Sequence, residues 1–581
     1  MKHPFATLAS ATLLVTALAG CGVTSSSTAA TSQSSRSGGV GVYALQPQTS
    51  PNWFFPLRSL VADTVINAQT SSMLYKPLLY FNKDDQLDYQ HSLADSVTWN
   101  HNGTIYTIKL NPKWHWSNGH PVTAKDVVFT WSIMKAASLP NSHYDWTFAG
   151  QGFGGIPNDW KSVVAKGKYT VQVTTTTPRN PQWFIRNGLD EIIPVPESVW
   201  NKYPHNMTRE MAFINSVANS PLNPVYRVVD GPYRISAYQA NNYWDFVPNP
   251  HYDGHKSYLK KVVFQYQTST TEQFASLKAG TVNVGYLGVS LLSSKRLLTH
   301  DTMTVAYPMG FNYIMLNLNP DAPGGTHIGS AFQELPVRQA LQYGVDQAGI
   351  IKTIFHGYGS IDDGPLAPEP KTSYVDPALR HQPYPFNIKR GKELLLKNGW
   401  HEVNGVMTKG NMKLEFTLDY ASGSQSGADE MQLLKSDWAQ EGIVVNLAEQ
   451  PFDTVASDSQ ENSTKWAAAY WGQGNIGGWT YGNPYPSGGG LFATNGAENG
   501  GGYNNRTMDA LIQKTYEPGA PAQTLKALYH YEEYAAKQLP GAIFVPWEPL
   551  FNVHANDIHG TVSTFNPIGD VIFPNYWWIG R

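Results

Sequence analysis

Leu414 to Tyr420 reads as a strand, Asp429 to Gln440 as a helix, and Ile443 to Ala448 as a second strand. Two strands joined through a helix of this length run side by side in the same direction, because antiparallel neighbours need only a tight turn. This stretch commits the chain to at least one partly parallel sheet and to the α/β class. The rest of the chain alternates short strands and helices irregularly. With 51 Gly and 39 Pro in 581 residues, loops are plentiful. No internal repeat is visible.

Several other elements are legible. Thr104 to Leu110, T-I-Y-T-I-K-L, alternates at period two after the Asn102-Gly103 turn signal. Thr123 is a good N-cap, with Asp126 three residues on, and Val127, Val128, Trp131 and Met134 fall on one helical face. Phe311 to Asn319 reads as a strand and Leu335 to Phe355 as one helix opened by Pro336. Further helices are predicted at Thr271–Lys278, Asn387–Asn398 and Leu525–Gln538, and a strand at Ala542–Pro546.

The N-terminus bears on compartment. Phe5 to Ala19 is apolar or small behind Lys2 and His3, too short to span a bilayer and suited to the h-region of a secretory signal. It ends Leu18-Ala19-Gly20-Cys21, which resembles the lipobox of bacterial lipoproteins. Cleavage before Cys21 and lipidation of its thiol are then expected, with residues 1–20 as signal peptide. Cys21 is the only cysteine, so the chain offers no internal disulfide and no cysteine zinc or catalytic site. Residues 21–39 read as lipidated Cys and flexible Ser/Thr/Gly tether. No later segment has 18 consecutive apolar residues.

The remaining roughly 540 residues exceed one ordinary domain. The net charge of −3 argues against a nucleic-acid partner. Charged residues make up 15%, against about 25% in ordinary domains. Such a surface suits an acidic exterior. Aromatics reach 13%, and Trp and Tyr serve both cores and ligand stacking.

The block Leu93–Trp131, L-A-D-S-V-T-W-N-H-N-G-T-I-Y-T-I-K-L-N-P-K-W-H-W-S-N-G-H-P-V-T-A-K-D-V-V-F-T-W, resembles the signature of the bacterial peptide/nickel solute-binding proteins, family five, which serve ABC importers. In the same order follow D-G-P-Y-R-I (Asp230–Ile235), N-P-H-Y-D-G (Asn249–Gly254), L-K-A-G-T-V-N-V (Leu277–Val284), L-P-V-R-Q-A-L-Q-Y-G-V-D (Leu335–Asp346) and L-P-G-A-I-F-V-P-W (Leu539–Trp547). The resemblance covers essentially everything after the tether. It implies a two-lobed periplasmic-binding-protein-like clamp (type II, cluster C) with an extra domain inserted in lobe I. The expected division is 40–74, 192–312 and 545–581 for lobe I, 75–191 for the inserted domain and 313–544 for lobe II. The chain would cross between lobes near Tyr313–Leu316 and near Ile543–Pro546, and solute would sit between lobes that close by a hinge.

The resemblance also locates a ligand loop at W-A-A-A-Y-W-G-Q-G-N-I-G-G-W-T-Y, Trp466 to Tyr481. Gly472, Gly474 and Gly477 spell G-x-G-x-x-G, but no helix follows; two prolines and more glycines do, so a dinucleotide fingerprint is not supported. Peptide-binding members resemble one another in a W-x-x-D-Y pattern whose acid pairs with the peptide's amino terminus. Laid on Trp471, that pattern places Gly474 at the acid, and no Asp or Glu occurs from Trp466 to Ala497. The loop offers Tyr470, Trp471, Gln473, Asn475, Trp479 and Tyr481, which suit an uncharged oligosaccharide or a peptide held through its backbone. Trp53, Phe54 and Phe55 are further candidates, with core packing as the other reading, and Tyr75 and Asn317 are weaker ones.

Ser132-x-x-Lys135 and Ser257-x-x-Lys260 lack the S-D-N and K-T-G partners of penicillin-recognising enzymes. His115 and His120 flank a turn and read as solvated rather than metal-binding, and Asp84-Asp85 reads as a turn. No catalytic residue, metal or cofactor is expected. The partners expected are a small-molecule or oligopeptide solute and the permease subunits of an ABC importer, for a monomeric protein lipid-anchored at Cys21 on the outer face of the cell membrane. The alternatives are an oligosaccharide-binding member of the same family, an extracytoplasmic hydrolase, and a receptor-coupled sensor. Cys21→Ala is expected to release the protein from the membrane fraction; a variant that still pellets with membranes would remove the lipobox.

Overall fold

The computed structural model describes residues 38–139, 144–459, 464–470 and 484–580. Its first strand, Val40–Ala44, lies inside a seven-stranded sheet and pairs in parallel with Lys261–Gln265 on one side and with Val284–Tyr286 on the other. Tyr243–Pro248 and Tyr233–Gln239 extend the sheet in one direction. Leu550–Ala555 and Asp301–Ala306 extend it in the other. Successive side chains of a strand point to opposite faces. Tyr43 and Leu45 accordingly enter one hydrophobic core, while Val42 and Ala44 pack on a second.

A five-stranded sheet forms in the order 444–450, 415–421, 468–470, 312–316, 542–545. The strand-helix-strand unit is here as read: Glu415–Ala421 and Val444–Gln450 pair in parallel, joined by the helix Gln425–Glu441. That helix begins four residues earlier than the sequence suggests because the Ser424 hydroxyl accepts from the Gly427 amide. Its inward stripe runs Ser426, Glu430, Leu434 and Trp438 at i, i+4 spacing.

A third sheet, antiparallel, takes residues 94–99, 105–110, 170–175 and 160–167. It packs with the helix Ala124–Ala137, whose Asp126 carboxylate accepts from the Thr123 amide at 2.8 Å and the Thr123 hydroxyl at 3.0 Å, as the capping signal predicts. The segment after this sheet reaches residues beyond 484. The Asn187 side chain and the Tyr485 backbone exchange two hydrogen bonds, at 2.8 and 3.0 Å, and Trp183 stacks on Tyr516 with centroids 3.9 Å apart.

The seven- and five-stranded sheets are joined by two short passes of chain, 307–311 and 546–549. Strands Asn312–Leu316 and Ala542–Val545 run antiparallel beside each other, and the Asn312 amide donates to the Pro546 carbonyl at 3.1 Å. One predicted element differs. The single helix expected over Leu335–Phe355 is two, Leu335–Tyr343 and Gln347–Thr353, because Asp346 caps the second by accepting from the Gly349 amide at 2.8 Å.

The D-G-P-Y motif is a fold element. Asp230 accepts from the Lys76 amide at 3.0 Å, the Gly231 amide donates to the Leu74 carbonyl, and the Asn249 side chain donates to the Gly231 carbonyl. A β-carbon on Gly231 would stand 2.5 Å from the Leu74 carbonyl carbon and 2.6 Å from the Met73 carbonyl oxygen, both backbone atoms that cannot rotate away. Gly231→Ala is therefore expected to cost about 1–3 kcal/mol or more, read as a lower urea unfolding midpoint; an unchanged midpoint would show that the end of the helix Val65–Leu74 yields.

Candidate functional site

A cavity of about 300 Å³ lies between the seven- and five-stranded sheets. One wall comes from the loop after Val40–Ala44, the first turn of the helix Val65–Leu74, the helix Thr270–Lys278 and residues 568–570. The other comes from residues 420–430 with Phe452 and Tyr470. Both passes between the sheets line it as well, through Pro308 and Met309 and through Trp547, Glu548 and Pro549.

The walls meet at a rim. The strand Glu415–Ala421 must turn sharply into the helix Gln425–Glu441, and Gly423 does so at φ +95°, a conformation that L side chains rarely adopt. There the Ser422 hydroxyl donates to Gln48 Oε1 at 2.6 Å and the Thr270 amide donates to the Gly423 carbonyl at 3.3 Å.

The cavity is apolar in its bulk and acidic in its polar groups. Trp547, Phe551, Met309 and Phe452 supply rings and a thioether, and the carboxylates are Asp63, Glu430, Glu548 and Asp570. Arg58 is the one lysine or arginine among the described residues lining it, and its guanidinium is paired with Asp63.

Asp570 and Glu430 are held differently. Asp570 accepts from the Tyr286 hydroxyl at 3.0 Å; Tyr286 is hydrogen-bonded in turn to Tyr43, and Gln69 donates to the Asp570 carbonyl at 2.6 Å. Burial pushes the Asp570 carboxyl up to about 7, against the pull of the Tyr286 hydrogen bond. Glu430 is 1% exposed and accepts from the Tyr470 hydroxyl at 3.1 Å. Burial, and then the negative charge of Glu548, push its carboxyl well above the ordinary range.

Of the residues the sequence singles out, Tyr470 lines this cavity. Trp471, Gln473, Asn475, Trp479 and Tyr481 lie outside the described residues, as does Cys21. Trp53, Phe54 and Phe55 belong to a core instead of the cavity wall. Phe55 packs on Trp200 at 4.7 Å, Trp53 on Trp146 at 5.3 Å, and the Trp53 indole donates to the Leu57 carbonyl. Tyr75 is buried in the same core. Asn317 follows the strand Asn312–Leu316, its amide donating to the Trp466 carbonyl and its oxygen accepting from the Asn319 amide. Glu430, Glu548 and Asp570 are absent from the sequence reading. A signal existed for Glu430, an acid on the apolar stripe of its helix. For Glu548 the matched block L-P-G-A-I-F-V-P-W stops one residue short.

Known proteins resemble this chain along most of its length. The family model for bacterial extracellular solute-binding proteins, family 5 middle, matches residues 88–492. The oligopeptide-binding protein AppA of Bacillus subtilis is 23% identical over 411 residues, 70% of this chain and 69% of that protein. The dipeptide-binding protein of Lactococcus lactis is 24% identical over 474 residues, 78% and 80% of the two chains. The solved structure of B. subtilis AppA in complex with a nonapeptide superimposes with a TM-score of 0.78 at 20% identity, covering 94% of this chain and 100% of that one. The fold is thus that of the two-lobed periplasmic binding proteins.

The buried acids set a sign for pH dependence. A carboxyl titrates near 4 in an unfolded chain, whereas burial raises Asp570 to about 7 and Glu191 to about 8. Between those values the folded protein holds protons the unfolded chain has released, so stability falls as pH rises through the window. The thermal unfolding midpoint is expected to be higher at pH 5 than at pH 8, with a shallower slope in Asp570→Asn; a midpoint that rises toward pH 8 would contradict the protonated state of these acids.

Proposed function

Because this chain belongs to the bacterial extracellular solute-binding proteins, family 5, we propose that it captures a peptide outside the cytoplasm and delivers it to an ABC importer, with no chemistry of its own. The observation that carries the reading is the position of the cavity. Both sheets and both passes between them line it, so a guest there touches every part that a closing motion would rearrange. A ligand favours the closed form by its difference in affinity for the two states. The peptide class follows from the relatives, named as oligopeptide- and dipeptide-binding proteins.

Lobe I is proposed as 40–74, 192–312 and 545–581, the inserted domain as 75–191 and lobe II as 313–544. The strands of the seven-stranded sheet fall within the first set and those of the four-stranded sheet within the second. The five-stranded sheet follows the third apart from Asn312 and Val545 at its edges. The protein is proposed to be a monomer, held at the outer face of the membrane by lipid on Cys21; among the described residues no helix is long and apolar enough to cross a membrane. The ligand loop is proposed to take part through Trp471, Gln473, Asn475, Trp479 and Tyr481, because it leaves the sheet at Tyr470, on the cavity wall. An oligosaccharide is the second reading, favoured by the aromatic and amide content of that loop.

Calorimetry of ligand-stripped protein is expected to detect binding of short peptides, and mass spectrometry of the freshly isolated protein to find peptide. Binding of sugars alone would replace the first reading with the second, and release of chromogenic product from glycosides or peptides would point to a hydrolase. Trp471→Ala is expected to weaken ligand binding at least several-fold with little change in melting temperature; equal affinity would remove the loop from the site.

A further inference from the structure

The loop from Trp466 to Tyr481 carries no Asp or Glu. The cavity nevertheless holds carboxylates from other elements. Glu430 projects from the helix Gln425–Glu441 into the cavity and is almost completely buried. Its Oε2 accepts from Tyr470, while its Oε1 has no hydrogen-bond partner among the described residues. An unsatisfied buried carboxyl oxygen is costly in a finished core and is expected where a ligand completes the site. Glu548, on the pass between the sheets, lines the same cavity close enough for its charge to act on Glu430. The one cation lining the cavity among the described residues, Arg58, is paired with Asp63.

We propose that the cavity seats a protonated amine on the Glu430 carboxylate, with Glu548 supplying the second negative charge and the Tyr470 hydroxyl holding Glu430 in place. The assignment rests on the reading that this cavity is the solute site. A protonated amine brings three donors and one positive charge. One donor can satisfy Glu430 Oε1, and the positive charge offsets the burial and, after it, the Glu548 charge that disfavour the ionised Glu430 carboxyl. Trp547, Met309 and Phe452 line the same cavity with apolar surface, and a lower local dielectric there strengthens the pairing. The amine is the α-amino group of a peptide, a lysine side chain, or a free alkylamine. These share one chemistry, and the experiment separates them.

The test uses full-length, ligand-stripped protein and affinity selection read by mass spectrometry, with calorimetry on the selected peptides. The probes are a pentapeptide library with uncharged side chains, the same library N-acetylated, an N-acetylated library containing one lysine, and putrescine. Free amino termini are expected to bind at least tenfold more tightly than acetylated ones, and Glu430→Gln to collapse that ratio. Recovery of selectivity by the lysine library or by putrescine would assign the amine to a side chain or to a non-peptide ligand. Glu548→Gln, on the pass between the sheets and not on the helix, is expected to lower the same ratio and serves if Glu430→Gln does not fold. Equal affinity for free and acetylated libraries, with no putrescine binding, overturns the amine subsite and leaves peptide binding standing. Binding of none of the four overturns both readings.

Discussion

The whole arrangement depends on one five-residue strand with two buried faces. Val40–Ala44 is the first strand of the described chain, yet it sits inside the seven-stranded sheet, between segments more than 200 residues further on. Its alternation sends Tyr43 and Leu45 into one core and Val42 and Ala44 against the other. A register slip of one residue would exchange these sets and place a tyrosine where an alanine fits. The sheet is therefore complete only when the start, middle and end of the chain are together. The chain then has to leave that sheet to build the second one and come back.

How far this was legible from sequence divides along physical lines. Local signals read well. The Thr123–Asp126 cap, the alternation of Ile105–Leu110 and the parallel unit around the helix Gln425–Glu441 all depend on neighbours a few residues apart. The break at Asp346 was missed because an aspartate inside an apolar-periodic run looks like a surface position until it caps a new helix. The cavity's acids were missed for a different reason. Glu430, Glu548 and Asp570 come from three separate segments, and only tertiary packing brings them to one cavity and buries Glu430 and Asp570. Aromatic content was ambiguous in the opposite way. W-F-F at 53–55 could stack on a ligand or fill a core, and its packing on Trp146, Trp200 and Tyr226 is a matter of tertiary context that composition does not carry.

The acids also change how the low charge content reads. A chain with 15% charged residues still keeps carboxyls inside, including Glu441 and Glu532, raised by burial. Held neutral, these groups pack as polar but uncharged side chains, and the cost of burying a charge does not arise. A cation placed beside a carboxyl that burial has raised favours its charged form, so an occupant of the cavity acts on the same equilibrium.

Finally, the two passes between the sheets lie next to one another, with Asn312 opposite Val545 in the ladder and the Asn312 side chain bonded to Pro546. Rigid bodies tied at two neighbouring points turn about the line through those points and resist sliding or free twisting. The halves are joined like a door on a pair of pins, not like a ball in a socket. Glu548 stands beside those pins, where a small displacement at the pivot becomes a wide sweep at the far edge.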